Sequence, residues 1–248
     1  MIKPDQKKIR LVAFCVLFST LLFQAKEPSA GHVNEPVVKK VAMPTYTTLY
    51  DSLKLDSLGL SRRAYDYAIQ GYERLKDDEK LANKQLLSIV DFSLPSSKKR
   101  LFILDLETGA LLFNTFVSHG RNSGRELATA FSNAQNSFMS SLGFYVTGAT
   151  YKGEHGYSLK LIGEEKGIND NALSRGIVMH SADYVNEALI NSQGYIGRSL
   201  GCPAIPISLH KKIIEKIRNG SCLFLYSPDT HYLANSQLLS HSDMATRM

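Results

Sequence analysis

Two residues with reactive side chains stand close together in the chain. Cys202 lies in the stretch GRSLGCPAIP, and His180 closes the segment RGIVMH before it. A thiol is a strong nucleophile only as the thiolate, and a nearby imidazole that accepts its proton is the commonest way to make one. The two are 22 positions apart, which leaves room for a strand end, a returning helix and a turn to bring the side chains together. Glycines at 194, 197 and 201 permit tight backbone geometry at the thiol. The N–H groups of Gly201 and Cys202 are candidates for an oxyanion hole, in which one donor is worth about 3 kcal/mol of transition-state stabilisation. The imidazole needs an orienting partner on its second nitrogen. Asp183 is near in sequence, and a backbone carbonyl would serve as well. The competing reading of such a pair is a buried histidine beside a structural cysteine.

The elements that must position this pair start with an unusual N-terminus. Lys3, Lys7, Lys8 and Arg10 precede an apolar run from Leu11 to Phe23, 13 residues long. As a helix that run spans about 20 Å, short of the roughly 30 Å hydrocarbon core of a bilayer. A basic flank, a short apolar run and small residues after it fit a signal peptide ending at Ala25 or Ala30. A retained anchor or a buried helix is the alternative. The whole chain carries a formal charge of +6, of which residues 1–25 contribute +3. The remainder is mildly basic, with no basic stripe interleaved with aromatics, which argues against nucleic acid as a partner. Hydrophobic content of 44% and charged content of 21% are those of an ordinary globular chain.

Of three cysteines, Cys15 falls in the N-terminal apolar run, leaving Cys202 and Cys222. On composition alone one disulfide or two free thiols are both open. Cys222 sits in SCLFLYSP, a run of strand formers, and reads as a small buried hydrophobe. Cys202, between glycine and proline, reads as a residue displayed by a turn.

Residues 26–44 hold three prolines and read as a linker. Residues 45–84 read as a helical segment, with Ser61 as N-cap and Ala64, Tyr67, Ala68, Tyr72 and Leu75 at helical spacing. From about residue 85 to 228 the pattern is β-rich. Glu107-Thr108-Gly109 reads as a hairpin turn, and GATYKGEHG as a longer glycine-rich turn between two strands. A short strand from Ile177 to Met179 delivers His180, Ala182 to Ile190 and Ser208 to Ile217 read as helices with Gly220 as a C-cap, and Ser221 to Tyr226 as the last strand. Residues 229–248 read as a polar, loosely ordered tail. The fold class expected is α+β and β-rich. His155, set in KGEHGY, has no second ligand at a metal-site spacing, so no metal is expected.

The segment from about Arg100 to Tyr226 resembles the L,D-transpeptidases of bacterial cell walls, the YkuD-like fold. There a histidine precedes a Ser/Thr-His-Gly-Cys block by some 15 to 25 residues; His180 and Ser199-Leu200-Gly201-Cys202 stand in that relation. GRSLGCPAIP is closest to the murein L,D-transpeptidase catalytic-domain branch with its GRSxGCPA block, and VSHGRNSG, SSLGFYVTG, HGYSLKL and GINDNA look like that branch too. The resemblance implies Cys202 as nucleophile and His180 as its base, with Ser199 and Gly201 shaping the turn and supplying donors. It implies a peptidoglycan L,D-transpeptidase that forms 3→3 cross-links between stem peptides through a cysteine thioester. An L,D-carboxypeptidase or a non-catalytic wall-binding module are the alternatives. It implies donor and acceptor stems as partners, export to the periplasm or envelope, and no cofactor. Leu200 stands where the commoner block carries a histidine, and Pro203-Ala204 follow the cysteine where many members carry a polar or arginine position. Arg198 is a candidate to replace that charge, or a surface residue without a role. Ser181, beside the base, and His119 and Tyr145, in resembling blocks, are candidate substrate contacts. For His119 a structural turn role is the competing reading, and for Tyr145 core packing.

Overall fold

The computed structural model describes residues 45–240. The expected signal peptide (1–25), the linker (26–44) and the last eight positions of the tail (241–248) lie outside the described residues. Two helices open the described chain, α1 (Tyr46–Ser52) and α2 (Arg62–Asp77), followed by β1 (Leu86–Asp91), β2 (Leu101–Asp105), β3 (Ala110–Thr115), β4 (Gly143–Gly153), β5 (Gly156–Gly163) and β6 (Val178–Ala182). Then come α3 (Glu187–Gln193), β7 (Ala204–Pro206), α4 (His210–Ile217), β8 (Cys222–Tyr226) and α5 (Thr230–Asn235). The eight strands form one sheet in the order β3-β2-β1-β8-β4-β5-β6-β7. The expected β-rich α+β architecture is the one observed.

Helix α2 begins where Ser61 accepts a hydrogen bond from the Ala64 N–H at 3.0 Å, the capping arrangement its position predicts. One face, made by Ala64, Tyr65, Ala68, Tyr72 and Leu75, is buried. Gly71 lies on that face because a Cβ there would come within 2.0 Å of the Phe144 ring. That ring in turn stacks on Phe224 of β8, with centroids 4.1 Å apart. The helix is therefore seated on the middle of the sheet. Strands β1 and β8 run parallel there, and every residue of each is buried, as expected of parallel strands covered on both faces. Cys222 opens β8 as a fully buried free thiol.

Several boundaries differ from the sequence reading for identifiable reasons. β4 and β5 pair out to Gly153 and Gly156, with a register irregularity between Thr147 and Thr150. Most of the expected glycine-rich turn is thus strand, and the hairpin tip is cut down to Glu154 and His155. Helix α3 starts five residues later than expected, because Asn186 caps it through the Leu189 N–H. Gly220 does not cap α4; it takes φ +100° in the turn before β8, and a Cβ there would meet Ala82 at 2.6 Å. Residues 229–240 are packed rather than loose. Asp229 caps α5 through the Tyr232 N–H. Tyr232, Leu238 and Leu239 are buried, and Ser236 and Tyr232 both donate to the buried Glu165 carboxylate. That carboxylate also accepts from the Phe144 N–H at 2.8 Å, so it ties the chain end to β4.

Candidate active site

The parallel pair β6–β7 positions the two reactive residues. His180 stands opposite Ala204 in this register, and Ser181 opposite Ile205. Cys202, two residues before Ala204, therefore lies two register positions back along the strand, at Val178. The thiol confirms that alignment: the Val178 N–H donates to Sγ at 3.5 Å, and the thiol donates to the Gly176 carbonyl at 3.7 Å. Among the described residues no hydrogen bond joins Sγ to the imidazole. Both cysteines are free, and Cys222 is walled off in the core, so the disulfide alternative is not what the structure shows.

His180 sits in the middle of β6, not beyond its end, and is 2% exposed. Its Nδ1 lies 2.8 Å from the Ser181 carbonyl. A carbonyl only accepts, so Nδ1 carries the proton and Nε2 presents a lone pair. The orienting partner is thus the backbone of Ser181, and Asp183 plays no part in it. The exposed His155, at the β4–β5 hairpin tip, stacks on His180 with centroids 4.2 Å apart and planes 20° from parallel. Burial lowers the pKa of His180, the Ser181 hydrogen bond opposes this, and the charge of His155 lowers it further. Burial raises the Cys202 pKa, opposed by the Val178 N–H and by the charge of Arg175. Both shifts favour the uncharged thiol–imidazole pair in the resting site.

The turn that carries Cys202 is held by a short chain of hydrogen bonds. Ser199 Oγ accepts from the Gly201 N–H at 3.0 Å and donates to the Cys202 carbonyl at 2.6 Å. Ser140 Oγ donates to the Gly201 carbonyl at 3.1 Å and accepts from the Gly120 N–H at 3.0 Å. Gly201 takes φ +128°, a conformation glycine tolerates and other residues rarely adopt. One expectation is corrected here. The Gly201 N–H is engaged inside the turn and does not point at an acyl oxygen. The Cys202 N–H has no hydrogen-bond partner among the described residues.

The remaining candidates separate clearly. His119 is fully buried. Its Nδ1 accepts from the Arg100 guanidinium at 2.7 Å and its Nε2–H donates to the Gly124 carbonyl at 3.2 Å. With both nitrogens engaged and no exposure, it braces the 117–124 loop. Tyr145 is likewise fully buried, its hydroxyl donating to the Ser141 carbonyl at 3.0 Å, so it belongs to the core. Arg198 is exposed and donates to the carbonyls of Arg121 and Gly124; it ties that loop to the nucleophile turn from outside. Ser181 is half-buried and serves His180 through its backbone carbonyl.

Three neighbours of the pair were not foreseen from the sequence. Arg175 is the cation acting on the thiol. Tyr184 is half-buried against Gly197 and electrostatically coupled to Cys202, its phenol pushed up to about 12, mainly by burial. His155 covers His180. Each comes from a turn distant from Cys202 in sequence, and only the arginine five positions before His180 left any local mark.

Comparison with known proteins fixes the family. A model of the L,D-transpeptidase catalytic domain, of the YkuD type, matches residues 56–226. The chain belongs to the L,D-transpeptidase catalytic-domain family. Its match begins within the loop before α2 and ends at the last residue of β8, so α2 is integral to the family domain. No curated protein matches the chain. Among solved structures it is similar to an L,D-transpeptidase from Mycobacterium smegmatis, at 14% identity over 58% of this chain and 59% of that one, with a TM-score of 0.37. It is also similar to an L,D-transpeptidase from Stackebrandtia nassauensis, at 15% identity over 68% and 69% of the two chains, TM-score 0.36. A third, LdtMt1, was solved in complex with imipenem and is 14% identical over 57% and 59%, TM-score 0.36. This L,D-transpeptidase domain thus spans less than two thirds of the first and third of these chains, and the family match carries the assignment. Among the described residues no helix is long and apolar enough to cross a membrane.

Proposed function

We propose that the protein is a cysteine-dependent peptidoglycan L,D-transpeptidase that forms 3→3 cross-links. The observation that carries this reading is the half-buried Cys202 thiol on a braced turn, beside a histidine whose Nδ1–H is fixed on Ser181 and whose Nε2 is free to accept a proton. In the acylation step the thiol leaves its long contact with the Gly176 carbonyl and gives its proton to His180 Nε2, a hydrogen bond of the kind that tightens only with substrate bound. Sγ attacks the carbonyl of the third stem residue, the C–N bond breaks, and the imidazolium returns the proton to the departing D-alanine amine. The free Cys202 N–H is the donor that meets the developing oxyanion. The thioester is then attacked by the side-chain amine of a second stem, His180 takes the amine proton, the C–S bond breaks, and the departing Sγ receives that proton from the imidazolium to restore the resting pair. No step calls for a metal or an organic cofactor. The substrate lies outside the cytoplasmic membrane, which agrees with the export signal read in the sequence.

The test is incubation of the protein with disaccharide-tetrapeptide muropeptides. D-Alanine release together with a 3→3 dimer is expected, and Cys202→Ala should abolish both. Release that persists undiminished in Cys202→Ala would overturn the assignment, whereas release without dimer would make the protein a carboxypeptidase.

A further inference from the structure

The turn before His180 carries a guanidinium that lacks a carboxylate. Arg175 is half-buried and takes part in none of the ion pairs among the described residues. Its Nη1 donates to the Ser132 carbonyl at 2.8 Å and to Ser141 Oγ, and its Nη2 to Ser137 Oγ at 3.1 Å and the Met139 carbonyl at 2.7 Å. Four neutral acceptors satisfy the fork's hydrogen-bonding capacity but leave its charge uncompensated. Burial of such a charge is unfavourable. Desolvation accordingly lowers the Arg175 pKa, and the groups that oppose this are Tyr145 and Cys202.

The same guanidinium lies against the nucleophile turn. A Cβ on Gly201 would stand 3.4 Å from Arg175 Nη2 and 2.8 Å from the Met139 carbonyl, so the missing side chain lets the turn close on the arginine and its loop. The residue after Arg175, Gly176, offers its carbonyl to the thiol, and Val178 its N–H. The titratable groups around Sγ are therefore Arg175 from this turn, Tyr184 from the loop after β6, and His180 on β6 with His155 stacked upon it. Of these only a guanidinium is charged at every working pH.

We propose that Arg175 supplies the fixed positive charge that favours the thiolate of Cys202 and holds the nucleophile turn in place. The inference rests on Cys202 being the nucleophile. The proton passes from Sγ to His180 Nε2, the electron pair stays on sulfur, and Arg175 remains protonated throughout. Arg175 thus acts through Cys202, as a positioning residue with an electrostatic function. An arginine that only braced the 132–141 loop would leave the titration of the sulfur untouched.

The experiment is the rate of Cys202 alkylation by iodoacetamide against pH in the full chain, read by mass spectrometry of the Cys202 peptide so that buried Cys222 does not contribute. It needs no peptidoglycan and stays informative even if the cross-linking assignment fails. Arg175→Gln should displace the titration midpoint upward and slow alkylation at pH 7 roughly tenfold, while Arg175→Lys should keep the midpoint near the wild-type position. Because Arg175→Gln also removes hydrogen bonds from the 132–141 loop, Ser137→Asp serves as a second variant. It sets a carboxylate at Nη2, keeps the fork braced and cancels its charge, and should displace the midpoint in the same direction. An unchanged midpoint in folded Arg175→Gln, or in Ser137→Asp, overturns the proposal.

Discussion

His155 lies face to face on His180, ring centroids 4.2 Å apart, at the tip of a hairpin whose two strands are paired to their last residues. The contact covers a buried imidazole with an exposed one, so protonation of the outer ring disfavours protonation of the inner.

The stack predicts a shift in pH dependence. Burial and the charge of His155 both lower the His180 pKa. His155→Ala relieves both, since it opens the ring to water and removes a like charge. The folded pKa of His180 should rise toward its ordinary value. The acid limb of the acylation profile, where the base is lost to protonation, should then move to higher pH. Measuring the rate of D-alanine release from tetrapeptide muropeptides across pH 4 to 8 checks this, and a limb that stays in place or moves to lower pH contradicts it.

A second prediction concerns stability. His119 is held neutral between Arg100 and Gly124, its pKa lowered to about 3 by burial first and the Arg100 charge second. Unfolded, it titrates near 6.5. The folded state therefore binds fewer protons than the unfolded state across that window. The stability from this site is complete above about 6.5 and is lost as pH falls toward about 3. One proton gives a slope of about 1.4 kcal/mol per pH unit. Glutamine can accept from Arg100 and donate to Gly124 without titrating. Urea unfolding at pH 7 and pH 5 should show His119→Gln losing about 2 kcal/mol less than wild type between the two. Equal losses would mean that His119 is not held neutral.

The parts of the site set by local chemistry were legible in the sequence. Ser61 caps α2, Gly109 takes φ +68° in the β2–β3 turn, Cys222 sinks into β8, and Ser199 and Gly201 shape the turn that carries Cys202. In each case the neighbours that decide the outcome lie within a few residues. What was not legible depends on contacts across the fold. Arg175 is 27 positions from Cys202 and approaches the turn that carries it because Gly201 leaves space. His155 reads as a lone turn histidine until the β4–β5 register sets the hairpin's reach.

The tail, and the choice between the two readings of His119 and of Tyr145, depend on contacts of the same kind. His119 sits in a stretch of small polar residues and Tyr145 follows another in SSLGFYVTG, so their own neighbours left a structural role and substrate contact both open. In the fold those serines satisfy one another and the backbone, so the larger side chains beside them turn inward. Residues 229–240 read as polar because their apolar members, Tyr232, Leu233, Ala234, Leu238 and Leu239, fall in two short clusters between polar residues. One buried acceptor, Glu165, gathers Tyr232 and Ser236 and offsets that weakness. No periodicity in the segment itself announces a partner 67 residues away.

Ser199 gives the most direct test of the turn. Its hydroxyl accepts from the Gly201 N–H and donates to the Cys202 carbonyl, closing a loop that no other described side chain closes from within. Ser199→Ala removes both bonds in a nearly buried place, where leaving such groups unpaired costs about 1–3 kcal/mol. It also frees the Gly201 N–H, which would gain a donor for the oxyanion if the turn kept its shape. The two effects oppose each other, and the magnitudes decide. One donor is worth about 3 kcal/mol only when pre-aimed, whereas displacing the nucleophile by about 1 Å costs about a hundredfold. Loss of closure should win: acylation of Cys202, read as D-alanine release from tetrapeptide muropeptides, should slow by roughly ten- to a hundredfold, with a lower melting temperature. Ser199→Thr, which keeps the hydroxyl, should recover most of the rate. Acylation as fast in Ser199→Ala as in wild type would show that Gly201, Ser140 and Arg175 hold the turn without it.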